Sequence, residues 1–246
     1  YTERVGGSSP SPPTTDLFLK RAEPRNSGSI NDAEEWQPRR DRQLLGQGRL
    51  AVDPRVTELH CIMPIANIGS VQKHGILSYE EAAKLEHRSV AMQPIQDRRD
   101  QKQVPGGLKL HRYANLYFHA RNPMLYKRKE EAPNLCVLCV SKDVLRLSGT
   151  VISDQNAASD YVRFVHPSQW DELNFDDIYA MDWNHPENQI AYWVHKSRKC
   201  AEVLVPHRVE WRFLMGAYAV DAAAAAALRA SGFDLPINIE PVLFFR

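Results

Sequence analysis

The chain has 246 residues, of which 43% are hydrophobic, and a formal net charge of +1. That length supports one substantial domain, with or without a tail, and the composition supports a real core. The charge balance excludes a uniformly basic nucleic-acid coat and an acidic tail. No stretch approaches the roughly 20 apolar residues needed to span a bilayer.

Residues 1–55 differ from the rest. Ser8–Thr15 reads Ser-Ser-Pro-Ser-Pro-Pro-Thr-Thr, and charged residues follow with few apolar anchors. Such a composition buries too little surface to offset chain entropy, so a disordered or linker-like arm is expected. The N-terminus lacks the pattern of a signal peptide. It begins at Tyr1 rather than Met, as a fragment or processed chain does. The domain is placed at residues 56–246.

Within it, Leu59–Ile65 reads as a strand. Ile65, Ile68 and Val71 have helical spacing, and Gly75 supplies a C-terminal stop. Tyr79–Leu85 is a second short helix. Leu116–Phe118, Leu135–Val140, Val162–Val165, Ala201–Val205 and Gly216–Val220 read as strands. Asp221–Ala230 is an Ala-rich helix with an acid at its start, where the helix dipole favours it. Short strands mixed with short helices, without a βαβ rhythm, indicate an α+β fold.

Cys136 and Cys139 form a lone CxxC in an apolar run. Residues three apart on a strand face opposite ways, so this is poor geometry for one metal. The four cysteines are read as buried free thiols, no metal is expected, and a reducing cytoplasm is favoured.

The near-zero net charge hides two blocks. Gln96–Glu130 holds nine Lys or Arg against three acids, interleaved with Tyr113, Tyr117, Phe118 and Tyr126. That mixture suits phosphate contact with base stacking, or a solvated face over a core strand. Pro167–Ile190 holds six acids and no Lys or Arg, and reads as a solvated acidic face.

Four motifs follow in order. They are His60 leading to Asn67 and the helix before Gly75, Ser89–Arg99 followed by Val104-Pro105-Gly106-Gly107, Leu110–Tyr113 with Leu116–Tyr126, and Cys200–Val205. Together they resemble the DarT family of DNA ADP-ribosyltransferase toxins over about Leu59–Ala219. The resemblance implies an ADP-ribosyltransferase-like split β-sandwich with short flanking helices. It implies NAD as co-substrate, single-stranded DNA as acceptor, and a cognate antitoxin of the ADP-ribosyl-glycohydrolase type. An RNA or protein acceptor, or a non-catalytic nucleic-acid-binding module, are the alternatives.

By the same resemblance Glu202 and Arg99 are the catalytic residues. His60, Asn67, Tyr117 and Arg99 bind NAD. The chemistry agrees: cleaving the nicotinamide–ribose bond leaves positive charge on the sugar, which a fixed carboxylate stabilises. Glu202 can also take the proton of an attacking base nitrogen. Arg99 can grip a pyrophosphate, while Arg98 points elsewhere. Alternation puts Tyr117 with Asn115 on one face and Phe118 on the other. Tyr117 either stacks on nicotinamide or packs as a core aromatic.

Asn184–Lys199, just before Glu202, is polar and aromatic. Tyr192 and Trp193 are candidates to stack on an exposed base, with Lys196, Arg198 and Lys199 meeting phosphates. The alternative is an amphipathic helix with Trp193 in the core. Asn156 stands where many members of the family carry a histidine, and it is placed on the acceptor side of the site.

Overall fold

A computed structural model describes residues 53–246. The expectation of an N-terminal arm falls, for residues 1–52, outside the described residues.

The strands are β1 (Leu59–Pro64), β2 (Ile76–Leu77), β3 (Tyr113–Tyr117), β4 (Leu135–Val140), β5 (Val151–Ser153), β6 (Phe164–Val165), β7 (Glu202–Pro206), β8 (Arg208–Val209), β9 (Leu214–Ala219) and β10 (Ile237–Ile239). The helices are α1 (Ile68–His74), α2 (Tyr79–Ala82), α3 (Gln93–Asp100), α4 (Pro123–Lys127), α5 (Phe175–Tyr179), α6 (Gln189–Arg198) and α7 (Ala222–Ala230). This is the expected α+β mixture. α2 is shorter than its sequence pattern, and Ser78 caps it by accepting from the Glu81 N–H.

Eight strands form one sheet in the order β10-β9-β4-β1-β3-β7-β5-β6, and β2 pairs separately with β8. β9 and β10 are parallel, and the other neighbours are antiparallel. β4 is an interior strand, and all six residues of its Leu-Cys-Val-Leu-Cys-Val run are buried. A strand covered on both faces reads as a continuous apolar run rather than an alternating one. Both of its cysteines are free thiols, as are Cys61 and Cys200.

The sheet is split at its middle. β1 pairs with β4 at six consecutive positions, and β3 with β7 at five. β1 and β3 meet at a single position, His60 opposite Tyr117. Continuing that antiparallel register would pair Ile62 with Asn115 and Pro64 with Tyr113. Instead the strands part there, and those residues line a cleft.

Three local signals fix the elements around the cleft. Gly75 ends α1 at φ +80°, and a Cβ there would lie 2.2 Å from the Val209 carbonyl oxygen. Asn122, wholly buried, caps α4 by accepting from the Met124 and Leu125 N–H groups, with Pro123 in the first turn. Phe118 is fully buried and meets Phe175 edge-on, 5.6 Å between centroids. Burying such a ring contributes about 2–3 kcal/mol and ties β3 to α5.

Among the described residues no helix is long and apolar enough to cross a membrane. Nor do those residues hold a group of three or more His, Cys, Asp or Glu side chains placed to bind a metal ion.

Candidate active site

The cleft between the half-sheets has a volume of about 510 Å³, within the range of small-molecule sites. Its lining comes from β1, α1, α2, the segment between α2 and α3, α3, β3, α4, α6 and the start of β7.

Glu202 opens β7, an interior strand between β3 and β5, so its carboxylate sits on a rigid element rather than an edge. It is 2% exposed and Arg99 is 6% exposed. Arg99 Nη1 donates to both carboxylate oxygens, at 3.2 and 3.0 Å. The Ala157 N–H donates to Oε1 at 3.1 Å. On the main chain, the Glu202 N–H donates to Ser153 Oγ at 3.2 Å. Three separated segments thus orient one acid. Arg98, one residue from Arg99 on the last turn of α3, is exposed as expected.

Tyr117 is the register partner of Glu202 across β3–β7 and lines the cleft with Asn115. Burial, and then the Glu202 charge, push its phenol well above the ordinary value. Tyr117 lines the cleft and also packs against the core, while Phe118 is fully buried. Cys61 and Cys200 also line the cleft. Burial pushes both thiols up to about 12, so they stay protonated and are poor nucleophiles.

Asn67 lines the cleft but spends its amide on the chain: Nδ2 donates to the Arg88 carbonyl at 2.8 Å and Oδ1 accepts from the Arg88 N–H at 2.9 Å. It therefore pins the strap between α2 and α3. Arg128 holds the same strap further on, donating to the Val90 carbonyl at 2.8 Å. Sequence reasoning missed Arg128, whose partner lies 38 residues away.

His60 departs from expectation. It does not line the cleft. Its Nδ1 donates to the Phe118 carbonyl at 3.2 Å, and its Nε2 lies 3.2 Å from Glu58 Oε1. Its ring lies near those of His119 and Tyr218. The neighbouring Cys61 faces the cleft instead. Where β1 leaves β3, a one-residue difference decides which side chain meets the opening.

Asn184–Lys199 contains the helix α6, which Asn188 caps by accepting from the Ala191 N–H. Trp193 is not in the core: it is 61% exposed at the cleft mouth, beside Lys196. Lys196 Nζ donates to the Tyr192 hydroxyl at 3.1 Å and lies over its ring. Tyr192 and Arg198 do not line the cleft, and Arg198 is held by Asp177 at 2.7 Å. Lys199 contradicts the phosphate-contact reading outright, because it is fully buried and bonded inside the protein. Asn156 lines the cleft next to the Ala157 N–H that holds Glu202, and its Oδ1 accepts from the Ala158 N–H. Its main-chain N–H donates to the Ser197 carbonyl, joining this turn to α6.

Gly106 turns at φ +65°, and a Cβ on Gly107 would lie 2.7 Å from the Tyr113 hydroxyl. This is a tight turn behind the cleft, as the sequence implies, and not a dinucleotide loop.

Residues 60–245 match the family described as DarT, ssDNA thymidine ADP-ribosyltransferase. A DNA ADP-ribosyl transferase of Thermus aquaticus is 30% identical over 174 residues, covering 65% of this chain and 74% of that protein. A DNA ADP-ribosyl transferase–DNA ADP-ribosyl glycohydrolase fusion protein of Thermosipho africanus is 28% identical over 203 residues. The chain spans about half the length of that fusion. The structure of Thermosipho africanus DarTG in complex with ADP-ribose superposes with a TM-score of 0.66 at 27% identity, covering 76% of this chain and 51% of that one. Thermus sp. 2.9 DarT in complex with ADP-ribosylated ssDNA gives a TM-score of 0.65 at 23% identity, covering 78% and 97%, and speaks to the fold. The split sheet, the buried Arg99–Glu202 pair at its opening and the match over residues 60–245 make this chain a member of the DarT family.

Proposed function

We propose that this protein cleaves NAD and transfers ADP-ribose to a thymidine base of single-stranded DNA. The observation that carries the reading is the Glu202 carboxylate, held by Arg99 and the Ala157 N–H at the opening of the split sheet. In the reaction the nicotinamide–ribose bond breaks and its electron pair leaves with nicotinamide. A base nitrogen then bonds to the ribose carbon and gives up its proton. A fixed carboxylate stabilises the positive sugar in the transition state and is placed to receive that proton.

In this reading Arg99 orients Glu202 through Nη1 and turns its remaining donors to a phosphate oxygen of NAD. Tyr117 packs against nicotinamide. Asn67 shapes the NAD side by fixing the strap. Trp193 and Lys196 at the cleft mouth meet the nucleic acid, one by stacking and one by charge. Asn156 lies between the two sides and contacts the acceptor base. Tyr192 supports Lys196, while Arg198 and His60 act away from the cleft.

The family and the glycohydrolase half of the Thermosipho fusion favour a toxin whose product a partner antitoxin removes. Buried free thiols favour the cytoplasm. The transferase unit is residues 56–246. An RNA or protein acceptor is separated from DNA by offering all three with labelled NAD: label on thymidine-containing DNA supports the proposal, and label on RNA or protein alone rejects it.

A further inference from the structure

Lys199 is fully buried and lies three residues before Glu202. Its Nζ donates to the Ile178 carbonyl at 2.8 Å, to the Ala180 carbonyl at 2.6 Å and to His119 Nδ1 at 3.1 Å. An ammonium has three protons, and these three acceptors use them all. Ile178 and Ala180 are at the C-terminal end of α5, where carbonyls lack intrahelical partners. His119 lies two residues beyond Tyr117. One side chain thus joins the exit of β3, the end of α5 and the junction between α6 and β7.

That junction matters for geometry. Tyr117 and Glu202 are register partners, and α6 carries Trp193 and Lys196. A buried charge is costly even when fully bonded, and an apolar side chain of similar volume is often as stable or more so. The charge here sits where three segments of the site converge.

We infer that Lys199 is a positioning residue: it fixes Glu202 and Tyr117 relative to α6, so that a base presented at the cleft mouth meets the carboxylate. This rests on the transferase reading above. The groups facing its ammonium are His119 beyond β3, Arg121 in the same segment, Asp182 beyond α5 and the adjacent Cys200. Asp177 of α5 is occupied by Arg198 of α6. Burial holds His119 down to about 3, so it stays neutral and can accept. Burial also lowers Lys199 to about 8. Above that pH the amine keeps only two of its three donated bonds, so one of the three local ties is released even though the fold no longer buries a charge.

The test uses the full chain with NAD and a thymidine-containing oligonucleotide. Lys199→Met should lower kcat about tenfold or more at neutral pH, with KM for NAD changed by less than about threefold. Wild-type kcat should fall above a pH of about 8, while Lys199→Arg should hold its rate to about pH 9.5, because a guanidinium does not titrate there. Wild-type kcat that stays flat to about pH 9.5 overturns the inference, and so does a Lys199→Met enzyme within about twofold of wild type. Amide exchange gives a readout independent of activity. Lys199→Met should speed exchange at the start of β7 and the end of β3 but not in β4 and β9; unchanged exchange at those sites overturns the inference. A wild-type protein with no transfer at neutral pH defeats the transferase reading instead, and amide exchange then decides the positioning role alone.

Discussion

Arg99 and Glu202, 103 residues apart in sequence, form a buried ion pair in which one guanidinium nitrogen lies 3.0 and 3.2 Å from the two carboxylate oxygens. Removing one partner leaves the other as an uncompensated buried charge. Arg99→Met or Glu202→Leu alone should therefore cost about 3 kcal/mol or more in urea unfolding. The double variant should cost less than the sum, by a coupling on the order of 1–3 kcal/mol. Strict additivity would show that the pair does not form in solution.

The cleft mouth should separate DNA binding from NAD binding. Trp193→Ala should weaken binding of a single-stranded oligonucleotide by about 1–3 kcal/mol, the worth of one stacked base. Lys196→Ala should lower the slope of log affinity against log salt by about one. Calorimetry with NAD should give wild-type affinity for both. Equal loss of NAD and DNA affinity would move α6 to the NAD side.

In the proposed NAD site Asn67 should act through the strap rather than directly on a ligand, because its amide is bonded to the Arg88 main chain on both sides. Asn67→Ala should raise KM for NAD by about tenfold with a smaller change in kcat, since it removes binding rather than transition-state contact. Faster amide exchange over residues 86–91 should accompany it. A fall in kcat at unchanged KM contradicts this assignment.

Two bases, Lys199 buried and His119 half-buried, set a pH dependence of stability with a definite sign. His119 lies at about 3 in the folded chain against an ordinary 6.5, and Lys199 at about 8 against 10.5. Between each pair of values the unfolded chain binds a proton that the folded chain has released. Stability from each site therefore rises with pH across its own window, and acidification from about 6.5 toward 3 destabilises through His119. Urea midpoints from pH 4 to 7 for wild type and His119→Gln should show a shallower slope in the variant.

Much of this was legible in the sequence where the signal is local. The apolar run Leu135–Val140 fixed its strand to the residue, and Asp221 marked the start of α7, where it caps by accepting from the Ala224 N–H. Arg99, Tyr117, Asn67, Asn156 and Glu202 carry motif positions, and all five line the cleft. What the sequence did not show depends on distant partners. His60 and Cys61 are neighbours on β1, and only the point where β1 leaves β3 decides which faces the opening. Lys199 looks like one more cation in a basic stretch until Ile178, Ala180 and His119 close around it. Trp193 was equally compatible with core and surface, because the number of apolar positions on α6 does not say which face is covered.

In the proposed reaction Glu202, held by Arg99, drives transfer of ADP-ribose from NAD to a DNA base. The most direct measurement is transfer of label from NAD to single-stranded oligonucleotides that contain or lack thymidine, by wild type and Glu202→Gln. Label is expected on thymidine-containing DNA with wild type only, with a loss of about 100-fold or more in the variant. Transfer by Glu202→Gln at the wild-type rate, or none by a folded wild-type protein that binds NAD, would contradict it.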